Sequence, residues 1–257
     1  MRLCMIVVIA ATVGAMAGVA RADETTFCNF YITTLPYTIS TQGHYCFDRN
    51  LSTAITSGNA ITINSDFVVV DLNNFKLGGG AAGLGTTTIG IHSQSHRNIT
   101  IRNGNIRGFL VGIEFQGGSS AGGNVIENNV LDGNTYLGLT VEGDAAIVRN
   151  NVVSNTGGST AGTYGYSIGI SAYASQLVSV RDNTVSNTFS TSGIVVGIQA
   201  GANGVVDHNL VKLGSTTGRK IGIECCGYAR DNTVLGATNS SYAFYQMTLI
   251  GHNYSNP

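Results

Sequence analysis

Two glutamates are the residues of this chain whose type and spacing could do chemistry. Glu114 lies in the segment GIEFQ and Glu142 in the segment GLTVE, and both segments are short aliphatic runs that begin with glycine. If the segments form neighbouring parallel strands in register, the glutamates are offset by one strand and two residues, which puts their Cα atoms ~8 Å apart. Carboxyl groups ~6.5–9.5 Å apart leave room for the water of an inverting glycoside hydrolysis. Glu114 and Glu142 are therefore the candidate catalytic pair.

The phrase of glycine followed by isoleucine or leucine recurs six times and indicates which other side chains share a face with the two glutamates. If the aliphatic residue points into a core, the residue after it points outward, because strand residues alternate between faces. The outward residues are then His92, Glu114, Thr140, Ser171, Gln199 and Glu224, with Gln116, Glu142 and Tyr173 two positions further on.

From this face we predict a ligand-binding set made of His92, Glu114, Gln116, Glu142 and Tyr173. The polar groups could hydrogen-bond to sugar hydroxyls, and the tyrosine ring could stack on a sugar. Glu224 is four repeats from Glu114, too far to act with it. The alternative is a wet strand face of ordinary polar residues that binds nothing.

A second cluster could bind a metal. Asp182, His208 and Asp231 occupy the same place in three successive repeats, and oxygen and imidazole ligands in one column suit a divalent cation such as calcium. Asn128 and Asn150 fill the same place in earlier repeats, and these residue types tolerate tight turns. The alternative is therefore a column of turn residues, and no other cofactor is predicted.

The repeat itself is an aliphatic residue, two mostly polar residues, an asparagine, one residue and another aliphatic. Its asparagines recur at intervals of 22–32 residues, and an earlier copy has Gly104 in their place; we call them the repeat asparagines: Asn129, Asn151, Asn183, Asn209 and Asn232. Periods of this size are typical of a solenoid built from one supersecondary unit per repeat. Three short strands per coil predict a parallel β-helix of about seven to eight coils. The asparagines are predicted to stack as a hydrogen-bonded ladder and to be structural.

Charged residues stand two places before each of these positions. They are Arg102, Glu127, Arg149, Arg181, Asp207 and Arg230. Opposite charges on adjacent strands stabilise a sheet by roughly 0.2–1 kcal/mol per pair, so a solvated ion-pair ladder is expected. The alternative is that the arginines bind an acidic polymer.

Starting from the N-terminus, the chain divides into three segments. Residues 1–22 have a basic start, an apolar run and Ala20-Arg21-Ala22, which predicts a secretory signal peptide; a membrane anchor is the alternative. Residues 23–59 lack the repeat, contain many aromatics, and are predicted to be a cap over the open end of the solenoid. Residues 60–257 are predicted to form the β-helix and its last partial coil.

If the protein is exported, its cysteines can form disulfides. Cys28 and Cys46 are predicted to form a disulfide within the cap, with two buried thiols as the alternative. Cys225 and Cys226 are adjacent, so on a strand one would face the core and the other the solvent. A strained vicinal disulfide is a further alternative for this pair.

The repeated NNV and DNTV turns, the glycine-led strand starts and the phrase VDLNNFKLGG at 70–79 resemble the right-handed parallel β-helix proteins of the pectate-lyase-like superfamily over roughly residues 60–250. The resemblance implies an all-β, single right-handed parallel β-helix. It also implies that a site for polysaccharides would lie on the outward strand face and its bordering loops. The polygalacturonase, pectate lyase and mannuronan epimerase motifs of the superfamily are missing, and the chain has no tryptophan.

Together these features predict an exported protein, secreted or periplasmic, that recognises an extracellular or cell-envelope polysaccharide along its solenoid face. A net charge of −1 argues against a nucleic-acid partner. Beyond the signal peptide no stable membrane insertion is expected. Two other classes stay open: a polysaccharide lyase or glycoside hydrolase, and a structural or adhesive surface protein.

Overall fold

The computed structural model describes residues 27–162, 164–174 and 176–257, and within them almost all regular structure is parallel β-strand. The chain winds through three parallel sheets of ten, nine and nine strands, one strand of each sheet per coil. It is a right-handed β-solenoid of about nine coils. The predicted signal peptide, residues 1–22, lies outside the described residues.

The strands are numbered in chain order. The first sheet contains β1 Phe30–Ile32, β3 Gly43–Phe47, β6 Val68–Asp71, β9 Thr100–Arg102, β12 Val125–Glu127, β15 Ala146–Arg149, β18 Val178–Arg181, β21 Gly204–Asp207, β24 Tyr228–Arg230 and β27 Thr248–Ile250. The second contains β2 Tyr37–Ile39, β5 Asn59–Ile63, β8 Ile89–Gln94, β11 Val111–Gln116, β14 Leu137–Glu142, β17 Tyr166–Tyr173, β20 Ile194–Ala200, β23 Lys220–Glu224 and β26 Phe244–Tyr245. The third contains β4 Leu51–Ser52, β7 Lys76–Gly78, β10 Asn105–Arg107, β13 Val130–Asp132, β16 Val152–Ser154, β19 Thr184–Thr188, β22 Leu210–Leu213, β25 Thr233–Leu235 and β28 Tyr254–Asn256. One short helix, α1 Ser240–Ala243, and two 3-10 turns at Gly80–Ala82 and Gly118–Ser120 complete the regular structure of the described residues.

The solenoid is longer than the seven to eight coils predicted. At the N-terminal end, β1 to β4 pair with the strands that follow them in all three sheets, so the described part of segment 23–59 is built from the same strands as the repeats. At the C-terminal end, β26 to β28 add a further coil. The last partial coil was predicted, whereas the strands of segment 23–59 were missed because that segment lacks the repeat phrase.

The core consists of aliphatic columns that run along the solenoid. In the first sheet, Ile126 is flanked by Ile101 and Val148 in the two neighbouring strands, and the column continues to Val180 and Val206. All five side chains are fully buried. Because stacked strands lie ~4.8 Å apart, each side chain touches its counterpart in the next coil, which gives the close packing expected of a protein interior.

The repeat asparagines form the predicted ladder. The Asn129 amide Nδ2 donates to the Asn151 Oδ1 at 3.2 Å, and the Asn129 backbone N–H donates to the same oxygen at 3.0 Å. The same pair of bonds links each asparagine to the next, as far as Asn253 beyond Asn232. Each buried amide also donates to backbone carbonyls; for Asn151 these are Ile126 and Arg149. The structure therefore satisfies these groups fully, as buried polar groups require.

The turn conformation belongs to the residue before each asparagine, not to the asparagine itself. The residues with φ between 52° and 57° in this place are Asn103, Asn128, Asn150, Asp182, His208 and Asp231. Asn, Asp and His adopt this left-handed region more readily than other non-glycine residues. The column that contains the three predicted metal ligands is thus also a column of turn residues.

The charged residues before the asparagines form ion pairs in part as predicted. Arg149 contacts Glu127 at 2.6 Å, and Arg230 contacts Asp207 at 2.5 Å. Arg102 instead contacts Asp71 in the preceding coil at 2.8 Å, and Asp71 is almost fully buried. Because these three arginines already have carboxylate partners, the alternative of an acidic polymer on this ladder gains no support.

The structure contains the predicted disulfide between Cys28 and Cys46, whose Cα atoms are 5.7 Å apart. The strand-based expectation for the other two cysteines is wrong. Cys225 and Cys226 lie in a turn after β23, both with positive φ, so the alternation of a strand does not apply to them. Cys226 is exposed and Cys225 is half-buried, and neither belongs to the core.

We expect Asn151→Ala to lower the melting temperature by about 5–10 °C. The change leaves the backbone N–H of Asn129 without an acceptor inside the solenoid and removes the amide donor from the Ile126 and Arg149 carbonyls, at a cost of about 2–4 kcal/mol. Circular dichroism melts of the variant and of Asn256→Ala, an exposed residue on the last strand, measure the difference. Equal melting temperatures for both variants would contradict a structural ladder, and so would an Asn151→Ala protein that folds normally but loses a ligand.

Candidate functional site

The outward face of the second sheet carries the polar column that the sequence predicts. The register pairs His92 with Glu114 and Glu114 with Thr140, and it continues through Ser171 and Gln199 to Glu224. The isoleucine or leucine before each of these residues is fully buried. The alternation assumed from the glycine-led phrase is confirmed, and the six side chains share one face.

A second, apolar column runs beside the polar one. In β14, both Gly138 and Leu139 face the core, since a Cβ on Gly138 would lie 2.4 Å from the Val153 side chain and from the Gly169 carbonyl oxygen. Two consecutive inward residues put Leu137 on the outside, together with its neighbour Ile168. Ile168, Val196 and Ile221 form an apolar cluster separate from the core, with Leu137, Ile194, Tyr242 and Tyr245 packed against it.

These two columns form the floor of a groove of about 480 Å³. The side chains that line it are Glu114, Gln116, Leu137, Thr140, Glu142, Tyr166, Ile168, Ser171, Tyr173, Ile194, Val196, Gln199, Arg219, Ile221, Glu224 and Tyr245. The groove therefore combines an apolar strip, a strip of hydrogen-bonding groups and three tyrosines, an arrangement suited to a ligand with both apolar and hydroxyl faces.

Loops border the groove on both sides, as the insertions in the sequence suggest. Tyr166 opens β17 at the end of the loop 156–166, and its ring packs against that of Tyr136 at 5.3 Å. Tyr136 also stacks on Tyr164 at 4.2 Å. Burial, together with a hydrogen bond to Tyr166, raises the pKa of Tyr136. On the other side, Gly117 of the loop 117–123 donates its N–H to Glu142 Oε2 at 3.3 Å.

Glu114 and Glu142 are placed as predicted. Glu114 pairs with Thr140, so Glu142 lies one coil and two residues away, which is ~8 Å between Cα atoms. Each carboxylate already accepts a hydrogen bond. Glu114 Oε2 is 3.0 Å from His92 Nδ1, and Glu142 is held by the Gly117 backbone. Both side chains are thus oriented, and both keep oxygens that can accept further bonds.

Glu224 is a half-buried carboxyl group at one end of the groove. Burial raises its pKa, and the hydrogen bond from Gln199 and the charge of Arg219 oppose the shift without cancelling it. Gln199 Nε2 donates to Glu224 Oε1 at 2.5 Å, and Gln199 Oε1 accepts from Ser171 at 3.4 Å. Arg219 lies with its guanidinium 5.4 Å from the ring centre of Tyr242. A continuous polar chain thus covers one end of the groove.

The groove gathers four of the five predicted ligand-binding residues: Glu114, Gln116, Glu142 and Tyr173. His92 does not line the groove and instead contacts Glu114 from the preceding coil. Sequence reasoning missed Arg219, Tyr166 and Tyr245, which come from loops and from the last coil. The sequence placed Glu224 on the correct face. The structure also agrees that Glu224 lies four coils from Glu114, a distance of ~19 Å.

The predicted metal set is only partly brought together. In the described parts of the chain, one group of ligand-type side chains has its atoms within 4.8 Å of one another, and it consists of Asp207, His208 and Asp231. Asp182 instead lies 3.4 Å from Arg181. Asp207 is already engaged by Arg230 at 2.5 Å and by His208 at 2.6 Å. A cation would have to displace the arginine, so calcium binding here stays a prediction.

A family model described as the right handed beta helix region matches residues 87–253. The chain belongs to this right-handed β-helix family. Solved structures with the same type of fold include the Dettilon tailspike protein, at 14% identity and a TM-score of 0.42 over 88% of this chain and 60% of that one. Tailspike protein 2 of Escherichia coli O157:H7 bacteriophage CAB120 aligns at 14% identity and a TM-score of 0.40 over 86% of this chain and 42% of that one.

The chain thus spans less than two thirds of the length of either tailspike. A search of curated proteins gives no match. Within the described residues, no helix is both long and apolar enough to cross a membrane.

We expect Glu224→Gln to raise the melting temperature at pH 8 and to leave it unchanged near pH 4. Because the pKa of Glu224 is raised in the folded state, the stability linked to its proton is present below the ordinary pKa of glutamate and is lost as the pH rises through the raised value. Glutamine keeps the bond to Gln199 and carries no charge to bury.

Thermal melts across this pH range compare the variant with Glu127→Gln, which should be destabilising at pH 8 because Arg149 loses its partner. A Glu224→Gln protein less stable than wild type at pH 8 would show that the charged form is the favoured one.

Proposed function

We propose that the protein binds an extracellular or cell-envelope polysaccharide that lies along the groove of the second sheet. The observation that carries the proposal is the groove itself, in which an apolar column, a hydrogen-bonding column and tyrosine rings run parallel across successive coils. Equivalent side chains repeat every ~4.8 Å along the solenoid, so a linear polymer with a regular repeat can make similar contacts at each coil. Apolar sugar faces would pack on the Leu137–Ile168 column while hydroxyls bond to the polar one.

The charge of the groove narrows the class of glycan. Three carboxyl side chains, Glu114, Glu142 and Glu224, line it against a single cation, Arg219. A site of one predominant sign attracts ligands of the other sign and repels those of its own. The groove therefore favours a neutral or amine-bearing glycan over a polyuronate.

We also propose that the protein is exported from the cytosol. The disulfide between Cys28 and Cys46 supports it, because disulfides persist in oxidising compartments outside the cytosol. A secreted or periplasmic protein would meet its polysaccharide there.

Glycoside hydrolysis is the second candidate, and the spacing of Glu114 and Glu142 favours it. Their Cα separation of ~8 Å allows the carboxyl groups to lie within the ~6.5–9.5 Å of an inverting pair. The third carboxyl group of the groove, Glu224, lies three coils and two residues from Glu142, ~16 Å away, which is outside the range for joint action. Catalysis would therefore depend on Glu114 and Glu142 alone. We favour recognition because the apolar and polar columns of the groove run across successive coils, as a surface for a linear polymer requires.

A glycan array followed by mass detection of products tests the proposal. We expect binding of at least one oligosaccharide without products. Products would establish the hydrolase or lyase instead, and neither binding nor products would favour a structural or adhesive surface protein.

For a glycan that binds, we expect Tyr173→Ala to weaken affinity about tenfold, or about 1.4 kcal/mol, through loss of one stacked ring. The double change Glu114→Gln and Glu142→Gln should also weaken it, while Asp48→Asn in a distant exposed turn serves as the control. Isothermal titration measures each affinity. Unchanged binding and turnover in the double variant would exclude this face as the site.

Affinity for glucosamine oligomers should exceed affinity for galacturonate oligomers of equal length, and the preference should shrink as salt rises. The double variant Glu142→Gln/Glu224→Gln removes two of the three carboxylates, so its preference for glucosamine over galacturonate oligomers should be smaller than that of the wild type. Preferred binding of the galacturonate series would contradict the charge argument.

A further inference from the structure

We propose that Cys225 and Cys226 form a reversible two-thiol redox site at the end of the groove, which small-molecule disulfides oxidise to a vicinal disulfide. The site lies in the turn between β23, which ends at Glu224, and β24, which begins at Tyr228. The proposal is independent of which ligand the groove binds, or whether it binds one.

The backbone of the turn brings the two thiols together. Cys225 has φ 79° and Cys226 has φ 43°, both in the left-handed region that non-glycine residues rarely adopt. Two such residues in succession turn the side chains toward the same side instead of opposite ones. The two Sγ atoms are 3.0 Å apart, so closing a disulfide bond of ~2.05 Å requires a movement of about 1 Å.

The surroundings allow an oxidant to reach the pair from one side. Cys226 is exposed, whereas Cys225 is half-buried and its backbone N–H donates to the Tyr245 carbonyl at 3.1 Å. Burial, with the hydrogen bond and charge of Cys226 adding to it, raises the pKa of the Cys225 thiol to about 11. The exposed Cys226 is therefore the first nucleophile, and Cys225 is the residue that completes the exchange.

The reaction balances as an ordinary exchange. The Cys226 thiolate attacks one sulfur of an external disulfide RSSR, forms a mixed disulfide and releases RS⁻, which takes up the proton that Cys226 lost. The Cys225 sulfur then gives up its proton, attacks the Cys226 sulfur and expels the second RS⁻ as RSH. Two thiols of the protein are oxidised to one disulfide, and one RSSR is reduced to two RSH.

The bond so formed should be labile. Adjacent residues have Cα atoms ~3.8 Å apart, below the 4.4–6.8 Å of ordinary disulfides, so a vicinal bond is strained and more easily reduced. The disulfide between Cys28 and Cys46, with its Cα atoms 5.7 Å apart and Cys46 fully buried, lacks that constraint. The two cysteine pairs of the chain should therefore separate into a labile one and a persistent one.

The position of the turn would transmit the change to the groove. Cys225 follows Glu224 directly, and its backbone holds Tyr245, which also lines the groove. Its charge is also one of the influences that raise the pKa of Tyr173, after burial of that hydroxyl. Closing the eight-membered disulfide ring would restrict these neighbours.

Thiol trapping on the purified full-length protein tests the proposal. The protein is incubated with oxidised glutathione, free thiols are blocked with iodoacetamide, and the peptide containing both cysteines is weighed. We expect this peptide to lose about two mass units and to escape alkylation, and brief treatment with reduced glutathione should restore two alkylated cysteines. The pair Cys28–Cys46 should stay oxidised throughout and serves as the internal control.

Cys226→Ser and Cys225→Ser are the matched variants, each compared with wild type by thermal melt. Each should keep the fold and show no intramolecular loss of two mass units, and Cys226→Ser should form the glutathione adduct more slowly because its remaining thiol is half-buried. Two alkylated cysteines after oxidation of the wild type would overturn the proposal. A persistent glutathione adduct, or a dimer linked through this turn, would overturn it as well.

Discussion

The amide-to-amide hydrogen bond between successive asparagines is the interaction on which the other features of this solenoid depend. Each repeat asparagine after Asn129 accepts two bonds from the coil before it through one oxygen, and each Nδ2 donates to the next coil and to backbone carbonyls. A shift of one coil by a single residue would break both bonds and also exchange the inward and outward side chains of its strands. The ladder therefore holds the register that keeps both the core and the groove aligned.

A second constraint on the fold, besides the asparagine ladder, is the lack of space for a Cβ at the glycines of the second sheet. The glycines that precede the buried isoleucines and leucines of the second sheet face the core, where a Cβ on Gly138 would collide with a valine side chain and with a carbonyl of the next coil. Because glycine and the following aliphatic residue both face inward, the residue before the glycine moves to the outer face. The same device thus creates the apolar column of the groove as well as the close approach of the coils. A packing requirement of the core therefore also produces the apolar side of the groove.

These two constraints explain how much of the site could be predicted from the sequence. The residues of one column, such as Glu114 and Thr140, follow from a period of two within a strand and from the repeat between strands, so their shared face was predictable. Leu137 and Ile168 were not, because simple alternation places them inward and only the double inward step moves them out. Arg219 and Tyr245 come from parts of the chain without the repeat, and their positions depend on how the last coil folds back. Asp207 was missed as a metal-site partner of His208, because strand alternation does not apply once His208 itself adopts the left-handed conformation.

Cys225 and Cys226 put two left-handed residues in the turn after β23, which is a different turn from the one before the repeat asparagines, where left-handed residues recur in successive coils. Coils tolerate Asn, Asp or His there, and the energetic cost of positive φ is low for residues that bond to local backbone. Cysteine has no such compensation, so two cysteines in succession at positive φ add strain that the surrounding coils must support. Neither cysteine side chain contributes to the core, since Cys225 is half-buried and Cys226 is exposed. Core packing therefore does not account for the pair, whereas a chemical role would use the closeness of their sulfur atoms beside the half-buried carboxyl group of Glu224.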